Sequence, residues 1–535
     1  MSNNLYKPII CLVTIFIAFF IVTECTTNNK AFDEPGKNGI VANEAMNRCV
    51  LYVQGWLDHA DPATGLIPRN LNNSKDIWNA PDAAADNYPF MVLTSALSDL
   101  SMLNGRMLDI LQTEKRLTSR IGTLPDTYSF SKQGFNDSVP DPDRIIFGAS
   151  EYIKDGLIPL TEWLGQSPWS DRMLEMLDDI WKQAPVETKF GAIVSTNHEV
   201  NGEMLQTLSR VYWMTGKEKY LEYAIRLGDY YLLGENHPTR DFEKLRLRDH
   251  GCEIVSGLTE LYATVCYARH EKYEEYKSHI HEMLDRILEV GQNEHGLFFN
   301  NVNPKTGETI GKGIADTWGY TYNGFYTVYL LDKTEKYHQA VIKALNSLYD
   351  NYRNYNWERG SADGYADAIE GAINLFNREP IPSVADWIDS EIKVMWEKQQ
   401  PDGIIEGWHG DGNFARTTIM YYLWKTQGLS ALPWRNDIKI GAVQKGNKFF
   451  ISLWAEKGWN GKLVFDQPRH KTQMKLPFDW PRINQFPEWF TVDANKKYVL
   501  NDINNKTKTT FTGQELIDGI DVKLDAGEEM LLILK

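Results

Sequence analysis

The chain has 535 residues, 42% of them apolar and 24% charged, with a formal net charge of −16. Such a length and apolar content exclude a disordered chain and suit one large domain plus a smaller one. The acidic balance leaves no basic stripe to displace counterions, which excludes nucleic acid as a partner. The 17 Trp, 26 Tyr and 22 Phe are flat rings that stack on sugar faces as well as they fill cores.

At the N-terminus, Lys7 precedes an uncharged run from Pro8 to Thr23 whose apolar part, Ile9–Val22, is shorter than the ~20 residues of a membrane-spanning helix. Residues 1–24 therefore read as a secretory signal. Cys25 follows Val22-Thr23-Glu24, a pattern that resembles the lipid-attachment box of bacterial lipoproteins, with Glu24 where a small residue is usual. The expectations are lipidation at Cys25 or plain cleavage nearby. Residues 25–40 read as a flexible tether. Beyond Cys25, only Cys49, Cys252 and Cys266 remain, too few for a disulfide scaffold.

Helical periodicity follows at 43–58, 89–105, 146–165, 169–183 and 199–214. A repeat then appears: Asp249, Gly257 and Tyr262 stand at the same offsets as Asp316, Gly324 and Tyr329, and as Asp363, Gly371 and Phe376. A degraded copy runs from Asp411 through Ile419 to Trp424. Each copy opens with Asp, a preferred N-cap, and carries a Gly where another helix can approach. Amphipathic helices at 217–233, 271–290, 334–352 and 383–400 lie between the copies. Inner and outer helices alternating about a dozen times predict an (α/α)6 toroid over 41–433. From 434 to 535, short alternating runs (KIGAV, KFFISLWA, GKLVF, TQMKL, KYVL, VKL, MLLIL) between Asn/Gly/Asp turns predict an antiparallel β-sandwich.

An exported toroid followed by a β-sandwich resembles bacterial carbohydrate-active enzymes, namely polysaccharide lyases and glucuronyl hydrolases of glycan-utilisation systems. Ser195-Thr196-Asn197-His198-Glu199 is similar to the Asn-His element of toroid lyases, and Trp318-Gly319-Tyr320-Thr321-Tyr322 to the segment that carries their catalytic tyrosine. The oligosaccharide dehydratases and lyases of ulvan breakdown in marine Bacteroidota are the group it resembles most. The resemblance implies an acidic oligosaccharide substrate and β-elimination beside a uronate carboxylate.

Residues at the inner-helix starts should converge on one cleft. Elimination needs a base, a proton donor and a group that neutralises the carboxylate. The expected base is His198, the second proton-transfer group Tyr322 or Tyr320, and the carboxylate holders Asn197 and His250. Glu199, Arg248, Asp249, Trp318, Tyr365, Trp408, His409 and Arg416 are the expected substrate contacts, the arginines offsetting the acidic surface. The repeated Asp residues allow a rival, glycoside hydrolysis by paired carboxyls among Glu199, Asp249, Asp363 and Asp411. A non-catalytic glycan-binding lipoprotein is the third reading. No cluster has zinc-ligand spacing, and no Walker, dinucleotide or Ser-elbow motif occurs, so neither metal nor cofactor is expected.

Overall fold

The computed structural model describes the backbone of residues 7–535 and side chains from Lys30 onward. The side chains of the expected signal (1–24) and of Cys25 lie outside the described residues. Among the described residues, no helix is long and apolar enough to cross a membrane. The chain forms two compact units. One comprises Asn47–Tyr421 with Pro468–Glu488; the other comprises the chain up to Met46, Tyr422–Gln467 and Trp489–Lys535.

The first unit is helical, and its helices alternate between two environments. Those buried all round are Tyr88–Ser98 with the π-helical Ala80–Asn87 before it, Pro142–Glu151 running through the π-helical Tyr152–Leu157 into Ile158–Leu164, then His198–Thr215, Glu253–Ala268, Trp318–Asp332, Ala362–Phe376 and the first part of Asn413–Thr426. Between them come helices with one buried face: Lys7–Asp58 from Asn47 on, Leu108–Thr118, Pro168–Lys182, Glu218–Gly228, His270–Val290, Glu335–Asn351 and Pro382–Trp396. The described residues thus form seven inner and outer pairs where the sequence led us to expect six. The additional helix comes from a break at Asp99 within the run read as 89–105. Asp99 is extended, and its carboxylate accepts hydrogen bonds from the amides of Ser101 and Met102, starting a new helix there.

Glycines let the inner helices approach backbone to backbone. A Cβ on Gly257 would lie 2.5 Å from the Gly202 carbonyl oxygen, and one on Gly319 would lie 2.4 Å from the Gly371 Cα. The repeat read from the sequence is therefore a packing repeat. The last inner helix returns to the first: a Cβ on Gly412 would collide with the Asp86 carbonyl, Phe414 packs on Tyr52 at 6.5 Å, and the Arg416 guanidinium lies 6.0 Å from the Phe90 ring. The expected role of the repeated Asp residues as N-caps does not hold at Asp363 or Asp249, whereas Asp411 accepts from the Phe414 amide at the start of its helix. Ser361, not Asp363, caps its helix by accepting from Gly364, and Asp249 sits in left-handed backbone (φ 51) ahead of its helix.

Pro468–Glu488, expected within the sandwich, belongs instead to the helical unit, and its TQMKL stretch is not a strand. Met474, Leu476 and Trp480 pack with Ala263, Trp213 and Leu331 near the C-terminal ends of inner helices. Arg482 pairs with Glu162 at 2.7 Å, and the Trp480 indole donates to Glu260.

In the second unit, residues 30–40 are helical rather than a loose tether. Phe32 packs edge-on to Phe450 at 5.5 Å, and Asn38 and Asn43 donate to the carbonyls of Ala442 and Ile438. Strands Lys448–Ala455, Glu529–Leu534, Ile438–Lys445, Lys497–Asp502 and Thr507–Thr512 form a five-stranded antiparallel sheet, and Trp459–Val464, Ile520–Leu524 and Ser430–Leu432 form a three-stranded one. One apolar cluster draws Ile451 and Leu453 from the larger sheet and Leu463 and Leu524 from the smaller.

Gly319→Ala should cost about 1–3 kcal/mol by forcing the paired inner helices apart. Gly105→Ala, where an added Cβ meets nothing within 4 Å, should be neutral or stabilising by up to about 1 kcal/mol. Urea unfolding of both variants measures the contrast.

Candidate active-site cleft

The N-terminal ends of the inner helices meet around a cleft of about 760 Å³. Its wall begins where Ala80–Asn87 packs on Tyr152–Leu157. These are π-helical turns, a geometry that recurs at functional sites because it turns side chains off the regular helical register. Gly148 and Gly156 permit the contact, since a Cβ on them would lie 2.9 Å from Pro81 and 2.6 Å from Pro89. Asp82 and Asp86 from the first turn and Asp155 from the second face the cleft together.

Asp155 is held from below. Its Oδ1 accepts from Lys154 at 2.7 Å and from the Asn484 amide at 2.8 Å, while the buried Oδ2 takes no hydrogen bond from the protein. Lys154 also bridges to Glu253. Burial alone would raise the Asp155 pKa, but Lys154, then His250, bring it below the usual carboxylate value. Asp86 behaves oppositely: burial, reinforced by the charges of Asp155 and Asp82 and opposed by His409 and His250, raises it to about 7. His409 Nε2 lies 3.5 Å from Asp86 and 3.8 Å from Asp82, and Asp82 is also paired with Arg69 at 2.5 Å.

Across the cleft, Arg416 is buried with ion pairs of 2.7 Å to both Asp367 and Glu370, and the Tyr320 hydroxyl lies 2.8 Å from each of the same carboxylates. Asn484 donates its backbone N–H to Glu370 at 2.6 Å. Asp363 accepts from Asn413 and is raised well above its ordinary pKa by burial and by Asp367; Asp411 is raised to about 6, chiefly by burial. At the mouth, Trp408 is 79% exposed, with the Arg69 guanidinium 5.3 Å from its ring.

Of the residues expected from the sequence, the structure brings Glu199, Asp249, His250, Tyr320, Asp363, Trp408, His409, Asp411 and Arg416 to the cleft. It does not bring His198 or Tyr322 there. His198 stacks on Phe242 at 4.0 Å and its Nδ1 lies 3.1 Å from the Tyr231 hydroxyl. Tyr322 is fully buried, donates to the Gly296 carbonyl away from the cleft, and has its pKa raised by burial. Asn197 is taken up as the N-cap accepting from Glu199, and Trp318 is a core residue. Tyr365 is buried beneath Lys398, whose ammonium lies 4.8 Å from the ring. The arginines expected to receive an anionic sugar are occupied: Arg248 pairs with Glu358 at 2.8 Å, and Arg416 as above; the neighbouring Arg246 pairs with Asp249. Tyr320 also has its pKa raised well above the ordinary value, first by burial, so its phenol stays protonated.

Asp82, Asp86, Glu151, Asp155 and Glu203 were absent from the expected set. The helix carrying Asp82 and Asp86 was placed from residue 89, although Asn79 caps it by accepting from Ala83 and Pro81 occupies the first turn, both legible start signals. The structure also gathers ligand-type side chains that local spacing does not reveal: Glu151, Glu199, Glu203 and His250; Asp82, Asp86 and His409; and, away from the cleft, His237, His279 and Glu282.

No known family and no curated protein matches the chain. Among solved structures it is similar to a possible member of the GH105 family from Salmonella enterica (11% identity, 52% of this chain and 81% of that one, TM-score 0.39). It is also similar to a family 76 glycoside hydrolase from a bovine Bacteroides thetaiotaomicron strain (13% identity, 59% and 76%, TM-score 0.41). A third likeness is to cellobiose 2-epimerase from Bacillus thermoamylovorans (12% identity, 50% and 84%, TM-score 0.38).

Replacing Arg416 with Ala would strand Asp367 and the buried Glu370 without their cation, at a cost of about 3–5 kcal/mol. The expected loss is read as a lower thermal midpoint, with Glu370→Gln in the same background recovering part of it.

Proposed function

We propose that the chain is a carbohydrate-degrading enzyme, an α/α toroid with a C-terminal β-sandwich, that hydrolyses glycosidic bonds of neutral oligosaccharides. The observation that carries this reading is the pairing of Asp86, raised to about 7, with Asp155, lowered below the usual value, in one cleft wall. Two carboxyls pushed apart in pKa are the arrangement that supplies a proton donor and an ionised partner at the same pH. Asp86 donates its proton to the departing glycosidic oxygen. Asp155, with Oδ2 free of protein partners, faces the anomeric carbon or the water that attacks it. Trp408 offers a ring face to a sugar at the mouth.

The electrostatics favour a neutral substrate over the uronate expected from the sequence. The cleft's arginines Arg69, Arg144 and Arg416, and Lys154 with them, are each engaged by carboxylates, so an added sugar carboxylate finds no spare guanidinium there, and Lys398 over the Tyr365 ring is the one lining cation outside those ion pairs among the described residues. The apolar run Ile9–Val22 supports export, with either lipid attachment at Cys25 or plain cleavage nearby.

The test is incubation with neutral and uronic-acid oligosaccharides, reading product mass and ultraviolet absorbance together. Cleavage with addition of water supports hydrolysis; a conjugated unsaturated uronate would return the assignment to β-elimination. Asp86→Asn should lower kcat by about 10²–10⁴-fold, and Asp155→Asn similarly, whereas His198→Ala should leave turnover near wild type.

The two carboxyls bound the pH profile from opposite sides. Asp86 must hold its proton, so kcat/KM falls as pH rises through about 7. Asp155 must be ionised, so kcat/KM falls again on the acid side, below the ordinary carboxylate value. A profile whose alkaline limb survives in Asp86→Asn would remove Asp86 from the donor role. Trp408→Ala should raise KM several-fold with kcat little changed, measured on the same substrate.

A further inference from the structure

We infer that Glu151, Glu199, Glu203 and His250 form a binding site for one divalent transition-metal ion in the wall of the cleft. Their candidate ligand atoms all lie within 4.8 Å of one another, although they come from three separate helical segments. Glu203 is wholly buried, with 0% exposure, and neither of its carboxylate oxygens has a hydrogen-bond partner. A buried carboxylate with both oxygens unpaired costs several kcal/mol unless something occupies its lone pairs.

The spacing points to an ion rather than to hydrogen bonds. His250 Nδ1 lies 3.8 Å from Glu199 Oε1 and 3.9 Å from Glu203 Oε1. Those separations are too long for N–H···O contacts. They suit two ligands on one centre whose bonds are roughly 2.0–2.2 Å long, since ligand atoms on a common ion stand well over 3 Å apart. The other ring nitrogen, Nε2, faces Asp249 Oδ1 at 3.4 Å. A carboxylate behind the distal nitrogen of a metal-binding imidazole is the usual outer-shell arrangement. Asp249 holds that place from left-handed backbone (φ 51), a conformation that surrounding structure must impose.

Charge leads to the same conclusion. The nearby ammonium of Lys154 is engaged by Asp155 and Glu253, so three glutamates share one imidazole. A dication offsets two of those three negative charges. One imidazole with carboxylates suits Zn²⁺ or Mn²⁺ better than Ca²⁺, which prefers an all-oxygen shell. Because Glu151, Glu199 and His250 line the cleft while Glu203 lies behind them, remaining coordination positions would open toward a ligand in the cleft. Ion binding does not depend on the hydrolase reading.

The full-length protein, stripped with chelator and dialysed, is titrated with ZnCl₂, MnCl₂ and CaCl₂ by calorimetry, with bound metal counted by elemental analysis. The expected result is one Zn²⁺ or Mn²⁺ per chain and a raised thermal midpoint. Glu203→Gln, which keeps the side-chain shape, should weaken binding at least ~10-fold. Glu199→Gln, at a half-buried position on the helix start, should weaken it too and covers the case in which the core variant fails to fold. His409→Ala and Glu282→Gln, in the other two clusters, should retain the ion. Absence of stoichiometric binding, binding of Ca²⁺ alone, unchanged affinity in Glu199→Gln, or loss of the ion in His409→Ala or Glu282→Gln would overturn the assignment.

Discussion

The helical unit is organised around the problem of burying charge at the centre of a ring. Its inner helices are apolar where they touch each other, yet they carry Lys154, Asp155, Arg210, Glu253, Glu260, Glu370 and Arg416 toward the middle, all of them almost fully buried. A buried charge is tolerable only when a counter-charge and hydrogen bonds meet it. The ring answers this pairwise: Lys154 bridges Asp155 and Glu253, Arg210 meets Glu260 at 2.6 Å, and Arg416 meets Asp367 and Glu370. Where helices alone do not suffice, Pro468–Glu488 supplies the missing groups: the Trp480 indole, the Arg482 guanidinium, the Ile483 carbonyl and both ends of Asn484. A segment between two strands in sequence thereby becomes the floor of the cleft.

That dependence also explains what the sequence disclosed. The Gly repeat at 257, 324 and 371 was readable because close helix approach admits almost no other residue, and Gly257 and Gly371 indeed stand against the backbone of a neighbouring helix, Gly324 against Thr259. The rim loop around Trp408 and His409 was readable because an aromatic among glycines at an inner-helix start has few other uses. Arg416 was readable as a cleft residue, but its partners were not, since ion pairs between residues 46 to 49 positions apart leave no local trace.

The residues that escaped did so for a common reason. Asp86, Glu151, Asp155 and Glu203 sit within helices rather than at their starts, and two of the four lie on π-helical turns. An ordinary helical pattern assigns such positions to a face by periodicity, whereas a π-turn shifts the register and turns a nominally lateral carboxylate inward. His198 and Tyr322 show the opposite error. Their neighbours in sequence resemble those of the toroid-lyase motifs, but the first turn of the His198–Thr215 helix directs Glu199 to the cleft and His198 onto Phe242.

The cleft carries more negative charge than its cations offset, and this excess distinguishes its two halves. Around Arg416, the guanidinium engages Asp367 and Glu370, while Asp363 and Asp411 beside them are raised in pKa by burial and by Asp367. Around His250, three glutamates converge with no guanidinium among their partners, and Asp86 beyond them holds its proton to about pH 7. A neutral sugar entering past Trp408 adds no charge to that imbalance, a proton on Asp86 partly relieves it, and a bound dication would relieve it further. On the proposed reading the proton donor and its ionised partner stand on the wall built by Ala80–Asn87 and Tyr152–Leu157, opposite the Arg416 ion pairs.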